Sequence, residues 1–170
     1  MKYLYIIRHA KAEASSHEVD DHDRKLVNNG INRANNLNKW LKNKTPNLEA
    51  LYCSSSLRTL QTMDVIAYNL NCSLSKIVDK KLYGASEDML MNYLSFLDDK
   101  FNNVGIVGHQ PGLQELAFTL VSSYAEGYDK VLNGNFSTSN AIMILLNIKR
   151  WDQISPRVGI LIDYFDSKNI

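Results

Sequence analysis

A short apolar run that ends in an arginine and a histidine constrains this chain more than any other stretch. Residues 3–7 read Tyr-Leu-Tyr-Ile-Ile, and Arg8 and His9 follow directly. A continuous apolar run lacks the alternation of a half-exposed strand, so it predicts a strand that is covered on both faces. Such strands belong to α/β folds, whose ligands bind beyond the carboxyl ends of the strands. Arg8 and His9 fall at that place, although an isolated Arg-His pair is more simply explained as the start of an exposed loop.

The remaining patterns alternate between strand and helix. Helical spacing and capping residues predict helices over the following stretches: 31–41, 57–70, 87–97 and from 111 onward. Short apolar runs predict strands over these stretches: 48–53, around 77–78, 104–107, 141–148 and 158–165. The alternation predicts an α/β fold with a mostly parallel central sheet between helical layers. The length suits a single domain over residues 1–170.

Charge and cysteine content argue against several classes of partner. The chain has 19 Lys and Arg against 18 Asp and Glu, so nothing in it favours nucleic acid or a membrane. Cys53 and Cys72 are too few for a disulfide framework or a zinc site, which fits a reducing compartment. The opening apolar run is too short for a signal peptide, and no run is long enough to span a bilayer. We expect a cytoplasmic protein that is a monomer or a weak dimer.

Charged or titratable groups stand at the ends of three predicted strands. Arg8 and His9 follow the first, Arg58 opens the helix after the second, and His109 follows the strand at 104–107. In a parallel sheet these groups converge on one edge. Two guanidinium groups and the N–H groups of helix starts suit a phosphoryl group. Because neighbouring arginines disfavour the charged form of an imidazole, a histidine there keeps a nucleophilic lone pair and can form a covalent phosphohistidine.

A polar loop offers a weaker alternative based on a metal. The segment HEVDDHDR, residues 17–24, contains two histidines and four acids. It lacks the regular spacing of metal ligands, so we interpret it as a solvated loop and keep a metal site as the less favoured alternative.

Taken together, three motifs resemble the histidine phosphatase superfamily, also called phosphoglycerate mutase-like. They are RHA at 8–10, SLRTLQT at 56–62 and GHQPG at 108–112. Several further features are similar to the SixA branch, the phosphohistidine phosphatases: the short length, DDHDRKL at 20–26, LYGAS at 82–86 and TSNAIMIL at 138–145. The resemblance spans nearly the whole chain.

The resemblance implies a three-layer αβα fold and a mechanism without metal or cofactor. His9 would be the nucleophile that takes the phosphoryl group, and Arg8, Arg58 and His109 would complete the phosphate pocket. The implied enzyme is a phosphohistidine phosphatase in signal transduction. Its partner would be a phosphorylated protein, such as the histidine phosphotransfer domain of a sensor kinase, or a small phosphoramidate. The family motif reads Arg-His-Gly, whereas this chain has Ala10 in the third place.

The proton donor of many family members is missing. Those members have a glutamate two positions after a leucine that follows the third strand, but here Leu82 is followed by Tyr83 and Gly84. Glu13, Tyr83 and Glu87 are possible substitutes, and each is explained more simply: a loop charge, a packing residue and a first-turn helix acid. Because an alkoxide leaves poorly without a proton, the missing donor favours a phosphoramidate substrate.

The spacing of the motifs also bears on the substrate. Between Arg58 and His109 there is no insertion long enough for a lid, so we expect an open site that a protein surface can reach. Two alternatives stay open: a phosphatase of small phosphomonoesters or a mutase, and a phosphate-binding module without turnover.

The sequence leaves the roles of five further residues less definite. Arg24 braces its loop through acidic neighbours or, less simply, reaches the rim of the pocket. Gln61 and Thr62 either orient Arg58 or are ordinary helix residues. Ser139 and Asn140 begin a strand and are candidates for hydrogen bonds near the site.

Overall fold

The computed structural model describes residues 1–129 and 131–169, which form an α/β fold around one seven-stranded sheet. The strands are β1 (Lys2–Arg8), β2 (Ala50–Cys53), β3 (Ser75–Val78), β4 (Asn103–Gly108), β5 (Val121–Tyr124), β6 (Ala141–Leu146) and β7 (Gly159–Phe165). The helices are α1 (Asn28–Lys42), α2 (Leu57–Ala67), α3 (Glu87–Ser95) and α4 (Gly112–Leu120). Short 3-10 helices cover Asp21–Asp23, Lys80–Leu82 and Trp151–Gln153.

The sheet has the strand order β3-β2-β4-β1-β6-β7-β5. Strands β3, β2, β4 and β1 are parallel to one another, and β5 is parallel to β7. Strand β6 runs antiparallel to both β1 and β7. The predicted mostly parallel sheet is therefore confirmed, and the carboxyl ends of β1, β2 and β4 lie side by side.

Strand β1 separates two hydrophobic clusters. Leu4 and Ile6 belong to the cluster that contains the buried faces of α3 and α4. Tyr5 and Ile7 belong to the cluster of α1 and α2. All four side chains are fully buried, because successive residues of a strand point to opposite faces of the sheet. This confirms the predicted helical layer on each face and explains why the run does not alternate.

Helix α1 begins earlier than predicted and α2 ends earlier. The first starts at Asn28 instead of Ile31, so Gly30 lies inside the helix. The second stops at Ala67, not near residue 70, since the buried amide of Asn38 donates to the Ile66 and Tyr68 carbonyl oxygens at 2.7 and 3.0 Å. These bonds satisfy carbonyl groups at the end of the helix. Strand β5 was not predicted.

Gly30 lets the segment 11–27 fold back against the start of α1. A Cβ atom at this position would lie 2.1 Å from the Lys11 carbonyl oxygen. The same oxygen accepts from the Val27 backbone N–H at 3.0 Å, and Ala12 pairs with Leu26 in an isolated β-bridge. The segment 11–27 is thereby held as a loop between β1 and α1, beside the carboxyl edge of the sheet.

The longest helix, α1, has 15 residues. Among the described residues, no helix combines the length and the apolar character needed to cross a membrane.

Candidate active site

The three predicted strand ends meet at one edge of the sheet. Arg8, the last residue of β1, stands opposite Gly108, the last residue of β4. The His9 backbone N–H donates to the Gly108 carbonyl oxygen at 3.2 Å, so His9 and His109 follow at the same level. Their ring centroids are 5.4 Å apart. Arg58 joins them from the first turn of α2, which begins just beyond β2.

His9 forms the floor of this site. Its side chain is buried, and its Nδ1 lies 2.8 Å from the Ala10 carbonyl oxygen. Since a carbonyl oxygen can only accept, Nδ1 carries the proton and Nε2 carries the lone pair. The pKa of His9 is lowered to about 3, mainly by burial and also by the neighbouring His109, Arg58 and Arg8, against the opposing effect of the Ala10 carbonyl. At neutral pH the imidazole is uncharged, and Nε2 can act as a nucleophile.

The turn after His9 is fixed from two sides. Thr62 Oγ1 accepts from the Ala10 backbone N–H at 2.9 Å and donates to the Arg58 carbonyl oxygen at 2.6 Å. The Ser139 backbone N–H donates to the His9 carbonyl oxygen at 3.1 Å. Thr62 therefore links His9 to the helix that carries Arg58. The methyl group of Ala10 is fully buried, so this departure from glycine is accommodated by packing.

Arg58 and His109 are directly linked. Arg58 Nη2 lies 3.3 Å from His109 Nδ1 and donates to it, because a guanidinium cannot accept. The proton of His109 is then on Nε2, which donates to Ser54 Oγ at 2.7 Å. Burial lowers the pKa of His109 to about 4, and the charge of Arg58 contributes in the same direction. Both histidines of the site are thus neutral in the ligand-free protein at neutral pH.

Among the described residues, the two arginines of the site have hydrogen-bond donors without partners. In the described part of the chain, the Nε atoms of Arg8 and Arg58 and the Oγ of Ser139 are buried and have no hydrogen-bond partner. Arg8 uses Nη1 to donate to the Phe136 carbonyl oxygen at 2.8 Å. Buried guanidinium N–H groups without acceptors favour the binding of an anion.

The loop 11–27 supplies a residue that the sequence reasoning missed. Asp21 Oδ2 accepts from Arg58 Nη2 at 3.0 Å and from the Tyr83 hydroxyl at 2.7 Å. The Asp21 backbone carbonyl oxygen accepts from Arg58 Nη1. The sequence contained one indication of an acidic residue at the site. Two arginines that converge in a nearly neutral protein require a nearby counter-ion. That signal does not choose among the acids of the loop.

The residues proposed as substitute proton donors lie in different places. Tyr83 is at the site, where its ring packs edge-on against His109 with centroids 5.4 Å apart. Glu13 pairs with Lys25 at 3.6 Å on the loop. Glu87 is the first residue of α3. Only Tyr83 of the three has a contact with a predicted site residue, and its proton is directed to Asp21.

Three further candidate residues have defined hydrogen-bond partners. Arg24 braces its loop, since it donates to Asp21 Oδ1 through Nε and Nη2 at 3.0 and 2.7 Å. Gln61 accepts from the Leu26 backbone N–H at 2.8 Å and therefore holds the loop instead of orienting Arg58. The Asn140 carbonyl oxygen accepts from the Arg8 backbone N–H at 3.0 Å.

The loop at 17–24 directs its polar groups to protein partners. His22 Nε2 lies 3.1 Å from Ser55 Oγ, and its Nδ1 lies 3.3 Å from Asp23 Oδ1. This loop reaches the predicted site through Asp21, and the stretch between Arg58 and His109 reaches it through Tyr83.

Residues 4–85 match the family model of the histidine phosphatase superfamily, branch 1. This range contains Arg8, His9 and Arg58, and His109 completes the set from β4. Over this range, which is just under half of the chain, the sequence is similar to the histidine phosphatase superfamily. An uncharacterised protein of Mycobacterium tuberculosis is 28% identical over 162 residues, which cover 93% of this chain and 98% of that protein.

Solved structures of the superfamily share the fold of this chain. A candidate phosphohistidine phosphatase SixA from Nakamurella multipartitia superposes with a TM-score of 0.83 at 22% identity, covering 97% of this chain and 95% of that one. The protein histidine phosphatase SixA complexed with tungstate gives a TM-score of 0.76 at 22% identity, covering 98% of each chain. The alpha-ribazole phosphatase from Shigella flexneri gives a TM-score of 0.64 at 16% identity, covering 92% of this chain and 95% of that one.

Proposed function

We propose that the protein is a phosphohistidine phosphatase that works through a phosphoryl group carried on His9. The observation that carries this proposal is the state of His9, whose Nδ1 proton is held by the Ala10 carbonyl oxygen at 2.8 Å. The free lone pair on Nε2 then faces no competing proton at neutral pH. The match of residues 4–85 to the superfamily model supports a hydrolase that acts on phosphoryl groups.

The reaction has two steps. In the first, Nε2 of His9 attacks phosphorus, the bond from phosphorus to the substrate nitrogen breaks, and its electron pair stays on the departing nitrogen. The guanidinium groups of Arg8 and Arg58 bind the equatorial oxygens, where charge is spread in the transition state. In the second, water attacks phosphorus and the bond to Nε2 breaks, with its electron pair returning to Nε2. Phosphate leaves with the oxygen and one proton of the water, and the other proton passes to solvent. His9 returns to its starting state.

The states of Asp21 and Tyr83, the two residues at the rim of the site, support a nitrogen leaving group. The hydrogen bond from Tyr83, aided by Arg24 and Arg58, holds the pKa of the Asp21 carboxyl well below its usual range. Asp21 is therefore a carboxylate and cannot donate a proton at neutral pH. The same hydrogen bond raises the pKa of Tyr83. An imidazole leaves readily without a strong acid, whereas a sugar or serine alkoxide does not.

The substrate that fits these requirements is phosphohistidine in a protein, such as a histidine phosphotransfer domain of a signalling pathway. The likeness to SixA structures supports this choice at the level of the fold. One of those structures contains tungstate, a tetrahedral oxyanion like phosphate. We place the reaction in the cytoplasm, which is consistent with the free thiols of Cys53 and Cys72.

A phosphatase of small phosphomonoesters is the second candidate. It is favoured by the likeness to the alpha-ribazole phosphatase and to a mycobacterial glucosyl-3-phosphoglycerate phosphatase, the latter with a TM-score of 0.64 at 14% identity. The loop 11–27 reaches the site and would contact a small substrate.

The two candidates differ in their substrate profile. We expect kcat/KM for a phosphorylated histidine phosphotransfer domain or a phosphohistidine peptide to exceed that for phosphoserine and sugar phosphates by about 100-fold or more. His9→Ala should abolish release from every substrate, while His17→Ala, on an exposed part of the loop, is the matched control and should retain it. Equal release by wild type and His9→Ala would contradict the proposal. Higher activity on phosphomonoesters would favour the second candidate.

A further inference from the structure

Asp21 lies on the outer side of the pocket and is held there on both carboxylate oxygens. Arg58 Nη2 and the Tyr83 hydroxyl donate to Oδ2 at 3.0 and 2.7 Å. Arg24 donates to Oδ1 through Nε and Nη2 at 3.0 and 2.7 Å. A carboxylate with four hydrogen bonds has a fixed position, so its charge acts at one place relative to a bound substrate.

Of the three charged groups in this network, the carboxylate is the most exposed. The side chain of Asp21 is 50% exposed, compared with 17% for Arg24 and 6% for Arg58. The two guanidinium groups are therefore less accessible to solvent than the carboxylate. An incoming substrate meets the Asp21 carboxylate at the rim before it reaches the less accessible guanidinium groups.

The geometry of phosphoryl transfer places the leaving group on the side of the pocket where Asp21 lies. In an in-line displacement the nucleophile and the departing atom are on opposite sides of phosphorus. His9 is the buried floor of the pocket, so the leaving group must point toward the exposed rim. Asp21 and Tyr83 occupy that rim beside Arg58 and His109.

We propose that Asp21 is a specificity-determining residue that selects substrates by the charge of the leaving group. Its carboxylate favours phosphoryl groups attached to cationic or N–H-bearing groups, as in phosphorylated basic side chains. It disfavours leaving groups that carry a carboxylate or a second phosphate. This inference rests on the proposed function and narrows its substrate class, since the imidazole of phosphohistidine presents an N–H and takes up positive charge.

The test compares two small ligands of similar size and opposite charge. Phosphoethanolamine carries an ammonium and phosphoglycolate carries a carboxylate. Their dissociation constants are measured by calorimetry in a His9→Ala background, which prevents turnover. We expect the protein with Asp21 intact to bind phosphoethanolamine more tightly, and Asp21→Asn to shift the ratio of the two constants by about tenfold toward phosphoglycolate. Asp21→Glu should retain the original preference.

Asp23→Asn is the matched control, because it removes the same charge from the same 3-10 helix. Asp23 is 71% exposed and contacts His22, not Arg58. Asp23→Asn should leave the ratio of the two dissociation constants within about twofold of its original value, since exposed charges at a distance are screened. The inference would be overturned if the protein with Asp21 intact bound phosphoglycolate more tightly, or if it bound neither ligand. It would also be overturned if Asp21→Asn left the ratio of the two dissociation constants unchanged, or if Asp23→Asn shifted that ratio equally.

Failure of the inference is distinguishable from failure of the proposed function. The binding ratio does not depend on catalysis, whereas hydrolysis of phosphohistidine by the wild-type protein is measured separately. If Asp21→Asn fails to fold, the same ratio in the His9→Ala protein is compared at about 0.05 M and about 0.5 M salt. Because salt screens the Asp21 charge, the preference for phosphoethanolamine should be smaller at the higher salt concentration. A preference that does not change with salt would contradict the inference.

Discussion

His9 owes its chemistry to one backbone acceptor and to burial. The Ala10 carbonyl oxygen takes the Nδ1 proton, and the surrounding protein penalises a second proton on Nε2. An exposed histidine would be partly protonated near neutral pH and would have no fixed tautomer. The fold therefore prepares the nucleophile before a substrate arrives.

This state of His9 has a measurable pH dependence. Because the pKa is lowered to about 3, the imidazole should stay neutral as the pH falls from 8 to 5, and protonation should begin only below that range. In nitrogen-15 NMR spectra of the ligand-free protein, we expect the neutral tautomer with the proton on Nδ1 throughout. A titration of His9 near pH 6.5, or a proton on Nε2, would show that the pocket does not control the nucleophile in this way.

The loop 11–27 is the element that distinguishes this site from a simple strand-end pocket. Its position depends on Gly30, where the helix backbone passes close to the Lys11 carbonyl oxygen. The loop in turn brings Asp21 to Arg58. A change at Gly30 should therefore affect both the stability of the fold and the placement of a site residue.

Gly30→Ala separates helix propensity from this close approach. Alanine in a helix is normally more favourable than glycine by up to about 1 kcal/mol. Here the new Cβ would lie 2.1 Å from a backbone oxygen, so we expect the free energy of unfolding to fall by about 1–3 kcal/mol instead. Asn32→Ala, on the exposed face of the same helix, is the control and should change it by less than about 1 kcal/mol. Denaturant unfolding measures both, and a stabilised Gly30→Ala protein would contradict the account.

Local patterns predicted the types of most elements, and they failed where an element depends on a distant partner. The end of α2 is set by the amide of Asn38 on α1, which no spacing within α2 reveals. Strand β5 follows α4 without a glycine or proline between them, and it is defined by its pairing with β7 at the edge of the sheet. The antiparallel direction of β6 likewise depends on its neighbours and not on its own residues.

At the scale of the whole molecule, the parallel order of β2, β4 and β1 explains why separate motifs form one site. Their carboxyl ends are adjacent, so Arg58, His109 and His9 come together although they are far apart in sequence. This convergence could be anticipated, because parallel strands present their ends at one edge. Asp21 could not, since its position follows from the path of a loop that has little regular structure.

The central claim is that the phosphoryl group passes through His9 of the intact protein. The most direct measurement mixes the wild-type protein with a phosphohistidine peptide, quenches the reaction within milliseconds at alkaline pH, and locates the phosphoryl group by mass spectrometry. We expect a transient phosphorylated protein, with the modification on His9 and not on His17, His22 or His109. Turnover that proceeds without phosphorylated His9, or with the phosphoryl group on another residue, would contradict the account.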